Sequence, residues 1–300
     1  MIDFKSIQLT DKNTIDSCLA GNIYRACDYS FTNLYSWQAK FETTFAIERD
    51  TLFIRYKECE DSYCYIMPIG KMSLGESVQK IMDDARERDK PFLMKGVTRR
   101  MQVDILRAMP DTFECRHDRD NDEYIYLSER LIHLTGKKLQ SKRNHINRFK
   151  KDNPDWAYIS LNNRNDLDEC IAMLDEWDDL NMNKAKSSLR YDYIATRIML
   201  DDFEHLGLSG GAIKVNGKIV AFTIGEKLTE DTFVIHVEKA FADMNGAYSV
   251  INQQFVEHEA GKYKYINREE DMGLEYLRKA KMSYYPDILL QEHILTLKEH

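Results

Sequence analysis

Three stretches of this sequence hold residue types that could move a proton or hold a polarised carbonyl. In Phe233–Glu238 the side chains alternate, so His236 and Glu238 share one face of a strand. A histidine beside a carboxylate can orient or deprotonate a nucleophilic amine, and it can equally be a satisfied structural pair. Lys264–Asn267 reads as a buried strand that ends in Asn267-Arg268-Glu269-Glu270-Asp271 and turns into a helix. Polar groups at the C-terminal end of a strand lie where open α/β sheets keep their sites. They can also serve as caps, with Asp271 capping the helix that opens at Gly273. On that helix Arg278 and Lys281 are three residues apart, and Tyr284 and Tyr285 follow it. Either hydroxyl could give a proton to a leaving group.

A second kind of chemistry is electrostatic. Lys137–Lys151, KKLQSKRNHINRFKK, carries seven lysines and arginines and no acid, in a chain whose formal charge is −8. At 100° per residue Leu139, Ile146 and Phe149 fall in one narrow arc, and the cations fill nearly all the remaining circumference. Such a helix docks by a thin apolar seam and offers its cations to a polyphosphate or RNA backbone. The alternative is mutual neutralisation with Asp166–Leu180, which holds seven acids.

Other chemistries find no support. The six cysteines form no CxxC pair or Cys/His cluster, which points to reduced thiols in a cytoplasmic protein and to no metal. No HExxH, GxSxG, P-loop or dinucleotide fingerprint occurs. The N-terminus shows no basic region followed by an apolar one, and no apolar run reaches the roughly 18–20 residues of a membrane helix. With 43% hydrophobic and 31% charged residues, the chain is of ordinary globular composition.

The elements that must position these groups repeat in order. In the first half a helix at Ser30–Lys40 precedes strands at Thr43–Glu48, Thr51–Tyr56 and Tyr63–Met67, with a tight turn at Arg49-Asp50. A helix at Ser73–Asp89, a strand at Phe92–Lys95, a helix at Thr98–Met109 and a strand at Phe113–His117 complete it. In the second half helices at Asp166–Leu180 and Tyr191–Leu206 precede strands at Ser209–Val215, Lys218–Lys227 and Thr232–Glu238. Asn216-Gly217 joins the first two of these. A helix after Gly246, the Lys264–Asn267 strand, a helix around Gly273–Lys281 and a strand near Asp287–Leu297 follow. With no Ser/Gly/Pro-rich linker, the layout predicts two similar mixed α/β domains in tandem.

GKKLQSKRNHINRF (Gly136–Phe149) and YINREEDMGLEYLRKAKMSYYP (Tyr265–Pro286) resemble a bacterial family related to the C-terminal domain of phosphatidylglycerol lysyltransferases. More distantly the chain is similar to Fem-type transferases, which have two acyl-CoA N-acyltransferase (GNAT)-like folds in tandem and take an aminoacyl group from tRNA. The resemblance covers most of the chain. It implies a degenerate first GNAT-like domain at Met1–Tyr124 and a second at Ile125–His300. The membrane half of the lysyltransferases has no counterpart here, so lipid substrate and membrane anchoring do not carry over. The Gly-rich pyrophosphate loop of CoA-using relatives should lie between the His236 strand and the Gly246 helix. Lys239–Ala247 has a single glycine there, where a nest of backbone N–H groups wants several.

The resemblance implies an acyltransferase that moves an aminoacyl group from aminoacyl-tRNA to an amine or hydroxyl. Lys138, Lys142, Arg143 and Lys150, with Arg278 and Lys281, would hold the donor. Asn267 and Arg268 would polarise the ester carbonyl or hold substrate. Glu238 or Glu269, with His236 and Tyr284, would manage protons or an α-amino group. An acyl-CoA-dependent N-acyltransferase and an inactive RNA- or peptide-binding module are the rival classes.

Overall fold

The computed structural model describes residues 1–59, 62–181 and 187–298. Among the cysteines, Cys18, Cys115 and Cys170 are free thiols, Cys27 and Cys64 are buried, and the side chain of Cys59 lies outside the described residues. The chain divides into two compact units. The first comprises Met1–Glu123, Glu270–Arg278 and Leu289–His300, and the second comprises Tyr124–Glu269 and Lys279–Ile288. The second unit is therefore not one continuous stretch from Ile125 to His300, as the sequence suggested.

In the first unit the sheet runs, in spatial order, Lys5–Ser6, Thr44–Glu48, Thr51–Cys59, Ser62–Tyr65, Leu93–Thr98, Glu292–Leu297 and Phe113–His117. Arg49 and Asp50 both take positive φ, 48° and 55°, as the primed two-residue hairpin turn requires. The predicted helix at Ser30–Lys40 is broken at Trp37 into Phe31–Ser36 and Gln38–Phe41. Helix Leu74–Glu87 starts at Ser73, whose hydroxyl accepts from Glu76 N, and buries Val78, Ile81 and Ala85 as the 3.6-residue pattern requires.

In the second unit the sheet order is Ile288–Leu290, Glu123–Leu127, Tyr265–Asn267, Thr232–Ala240, Lys218–Lys227, Ser209–Val215 and Ala157–Ser160. Asn216 and Gly217, at φ 51° and 75°, form the expected hairpin turn. Helix Ala247–Phe255 crosses between the parallel strands Thr232–Ala240 and Tyr265–Asn267 and buries Val250, Ile251 and Phe255.

One run of residues behaves differently from its pattern. The strand expected near Asp287–Leu297 breaks at Gln291 into Ile288–Leu290 and Glu292–Leu297, and the two pieces join different sheets. Glu292–Leu297 lies antiparallel between Leu93–Thr98 and Phe113–His117 of the first unit. Conversely, Glu123–Leu127, which follows Phe113–His117 in sequence, lies in the second sheet antiparallel to Tyr265–Asn267. Each sheet thus receives an inner strand from the segment that follows the other sheet's edge strand.

Candidate functional site

In the second unit the parallel pairing of Thr232–Ala240 with Tyr265–Asn267 covers only three positions, ending at Val234 and Asn267. Beyond it Thr232–Ala240 continues on its other side against Lys218–Lys227, while the chain after Asn267 bonds to Tyr124. Arg268 N donates to Tyr124 O at 2.9 Å and Tyr124 N donates to Glu269 O at 3.2 Å. The buried Asn267 accepts the Glu269 N–H on Oδ1 at 2.7 Å and so holds Glu269 in the left-handed region, at φ 57°. Asn267 therefore shapes the turn, and the turn aims Arg268 and Glu269 back toward the His236 and Glu238 side chains.

His236 has a side chain only 1% exposed, and both ring nitrogens are taken. Nδ1 lies 2.8 Å from Glu269 and Nε2 lies 3.0 Å from Glu226. Burial by itself disfavours the imidazolium, but the two carboxylates outweigh it and push the pKa up to about 10. At neutral pH His236 is thus a charged clamp with no lone pair to offer, which argues against the base role expected for it. Glu226, from the neighbouring strand, had no signal in the sequence beyond its place in a strand.

Glu238 is the hub of a second cluster. Its Oε1 accepts from Arg268 Nη2 at 2.8 Å and its Oε2 accepts from Asn252 Nδ2 at 2.9 Å. Arg268 also lies over the Tyr284 ring, with Cζ 4.9 Å from the centroid, and Lys142 Nζ lies 4.0 Å from the same ring. Tyr284 is buried, with its hydroxyl directed to Ser249 Oγ at 3.4 Å. Burial chiefly, reinforced by Arg268 and partly offset by Glu238, lowers the Lys142 amine to about 8. Asn252, fully buried on a mostly apolar helix face, is a site residue missed in the sequence; a polar residue at a core position was the available signal.

Lys142 is delivered by the basic segment, which forms a short 3-10 turn at Lys137–Leu139 and the helix Gln140–Asp152. Leu139, Ile146 and Phe149 form the buried seam, as the arc predicted. The cations divide. Lys137, Lys138, Arg148 and Lys151 are exposed. Lys138 lies 5.2 Å over the Tyr285 ring and Lys150 lies 4.5 Å over Trp156. Arg143 is instead committed to the Leu134 and Gly136 carbonyls at the end of helix Ser128–His133, closing it in the manner of a C-terminal cap. Among the described residues no ion pair joins this helix to the acidic helix Arg164–Asn181. Acids of that helix pair with Lys214, Arg164 and Arg197 instead.

The remaining predicted donor ligands lie elsewhere. Arg278 belongs to the first unit, bonded in a two-point fork to the buried Asp271 at 2.9 and 2.8 Å and to Asp120 at 2.7 Å. Lys281 is buried beneath the Tyr124 ring, and its carbonyl accepts from the Tyr126 hydroxyl. Gly246, at φ 93°, opens helix Ala247–Phe255 against the basic helix so closely that a Cβ would stand 2.4 Å from the His145 carbonyl oxygen. On either side of it, Met244 N donates to Phe241 O and Ala247 N donates to Met244 O. The loop thus turns these N–H groups onto its own carbonyls, where a pyrophosphate nest would present them.

Residues 23–295 match the family described as phosphatidylglycerol lysyltransferase, C-terminal. The chain belongs to that family. A crystal structure of a conserved protein of unknown function from Bacteroides thetaiotaomicron is 41% identical, with a TM-score of 0.93 over 99% of this chain and 100% of the other. L-PGS from Bacillus licheniformis is 16% identical, with a TM-score of 0.67 over 97% and 93% of the two chains. A tandem GNAT protein from the clavulanic acid biosynthesis pathway is 7% identical, with a TM-score of 0.50 over 99% and 98%. An uncharacterized protein of Mycoplasmoides gallisepticum is 22% identical over 176 residues, which are 58% of this chain and 56% of that relative's length. This family member has the tandem GNAT-like fold, and family and fold together support an acyltransferase. Among its described residues no helix is long and apolar enough to cross a membrane.

Proposed function

We propose that this family member transfers an aminoacyl group from an aminoacyl-tRNA to an amine or hydroxyl acceptor. The observation that carries this is the double use of one helix. Gln140–Asp152 and the turn before it present Lys137, Lys138, Arg148 and Lys151 outward and send Lys142 inward to Tyr284 beside Arg268. An RNA backbone held on the outer cations would bring its charged end toward the cleft. There the acceptor's nitrogen or oxygen bonds to the ester carbonyl carbon, the carbonyl–ribose oxygen bond breaks, and the acceptor's proton passes through a base to the departing ribose oxygen, which leaves as the hydroxyl of the uncharged tRNA. The Lys142 amine, with its lowered pKa, is suited to take that proton, and Arg268 to steady the developing negative oxygen.

Against CoA as donor stands the Gly246 turn, where the Met244 and Ala247 N–H groups are already bonded within the loop and the His145 carbonyl packs against Gly246. The test is transfer from charged tRNA, with CoA and acetyl-CoA run in parallel. Binding of tRNA that weakens steeply with salt, together with release of the aminoacyl group to an added amine, is the expected result. Tight binding of acetyl-CoA without tRNA binding would replace this proposal with the CoA-dependent one. tRNA binding with no transfer to any amine or hydroxyl would favour the inactive binding module.

A further inference from the structure

Arg268 raises a question that acyl transfer from tRNA does not by itself answer. Its side chain is 9% exposed, and only Nη2 is bonded to Glu238. Nη1 is buried with no hydrogen-bond partner. An unsatisfied charged donor in the interior costs several times a made hydrogen bond. The cost is compounded by Lys142, a second cation over the same Tyr284 ring. The one carboxylate facing both, Glu238, is already shared with Asn252. Glu226 and Glu269 are engaged by His236.

We propose that Arg268 Nη1, Lys142 Nζ and the face of Tyr284 form a binding site for a single anionic group of the substrate, a carboxylate or a phosphate. Two cations packed on one ring and close enough for Arg268 to reinforce burial in depressing the Lys142 amine, one of them with a free N–H, are the donors such a group needs. Lys142 is half-buried where Arg268 is buried, so an anion travelling along the basic helix meets Lys142 first. Bound beside them, it would satisfy Nη1. The groups that face Lys142 are Arg268, Glu238 and the Tyr284 ring. On its own helix Arg143 is held by carbonyls, and Lys138 turns to Tyr285. Because Lys142 loses its proton near pH 8, anion binding should weaken as pH rises through that value.

The site rests on the cleft assigned above, and its test uses neither donor nor turnover, so either can fail without the other. The full chain is titrated at low ionic strength and pH 7 with sodium acetate and, separately, with inorganic phosphate, following heat and melting temperature. Saturable binding of one or both is expected, the tighter of the two identifying the group as carboxylate or phosphate. Lys142→Met should weaken it about tenfold or more and abolish the change in acetate binding between pH 7 and 9, where acetate itself stays fully ionised. Lys218→Ala, an exposed cation at the start of strand Lys218–Lys227 and away from the basic helix, should leave it unchanged. Absence of saturable binding by both probes, or equal binding by Lys142→Met, would overturn the proposal. Arg268→Lys, which keeps the charge on Glu238, gives a second variant and should also weaken binding.

Discussion

Arg268 and Glu238 form a buried ion pair, 2.8 Å between Nη2 and Oε1, just where strands Thr232–Ala240 and Tyr265–Asn267 part. The pair spans the parted strands with charge where main-chain bonding has stopped. Glu238→Ala leaves Arg268 charged and unpaired in the interior, and should lower stability by about 3–5 kcal/mol in urea unfolding. A loss within about 0.5 kcal/mol would mean that Arg268 finds another partner or water.

His236 gives the protein a specific pH dependence. Its pKa is raised from 6.5 to about 10 in the folded state. The charged clamp therefore contributes fully below about pH 6.5, and its contribution is lost as pH rises toward 10. The stability gap between wild type and His236→Gln should shrink steadily across that window. A gap that instead grew with pH would show His236 folded as a neutral imidazole.

The basic segment separates into two sets of cations with different measurable signatures. Lys138→Ala with Arg148→Ala and Lys151→Ala should flatten the log–log salt dependence of tRNA binding by roughly 0.7–0.9 for each phosphate no longer neutralised. Arg143→Ala should leave the slope alone and lower stability by about 1–2 kcal/mol, because it strips partners from the Leu134 and Gly136 carbonyls. The reverse result, a changed slope with unchanged melting, would return Arg143 to the RNA-facing set.

Gly246 is a packing test. Any Cβ there meets the His145 carbonyl oxygen at 2.4 Å, and φ 93° is itself unfavourable for an L side chain. Gly246→Ala should cost about 1–3 kcal/mol and loosen the basic helix, read as faster amide exchange along Gln140–Asp152.

The sequence made legible what depends on local period and turn chemistry. The seam of Leu139, Ile146 and Phe149, the Asn216-Gly217 hairpin and the strand leading into Asn267 are of this kind. What it hid depends on partners distant along the chain. His236 looked like a base because Glu226 and Glu269, which occupy its two nitrogens, come from a neighbouring strand and a later turn. Arg143 looked like one cation among seven, and only the fold brings the end of helix Ser128–His133 under it. Arg278 looked like a ligand three residues from Lys281, yet the two side chains serve different units. Ile288–Leu297 has nearly continuous strand character, so its break at Gln291 into two sheets has no signature in alternation or propensity.

That divided run has a consequence for synthesis. The first unit's sheet has most of its strands by His117, but the strand that sits between Leu93–Thr98 and Phe113–His117 is Glu292–Leu297. Residues 118–291 must be translated in between, which takes about 10–35 s at ribosomal rates of 5–20 residues per second. Throughout that interval the nascent chain carries two open strand edges side by side, a standing invitation to pair with the wrong partner. Holding by a chaperone during elongation, or a translation pause placed late in the message, would bear on the yield of native protein as much as any residue of the cleft.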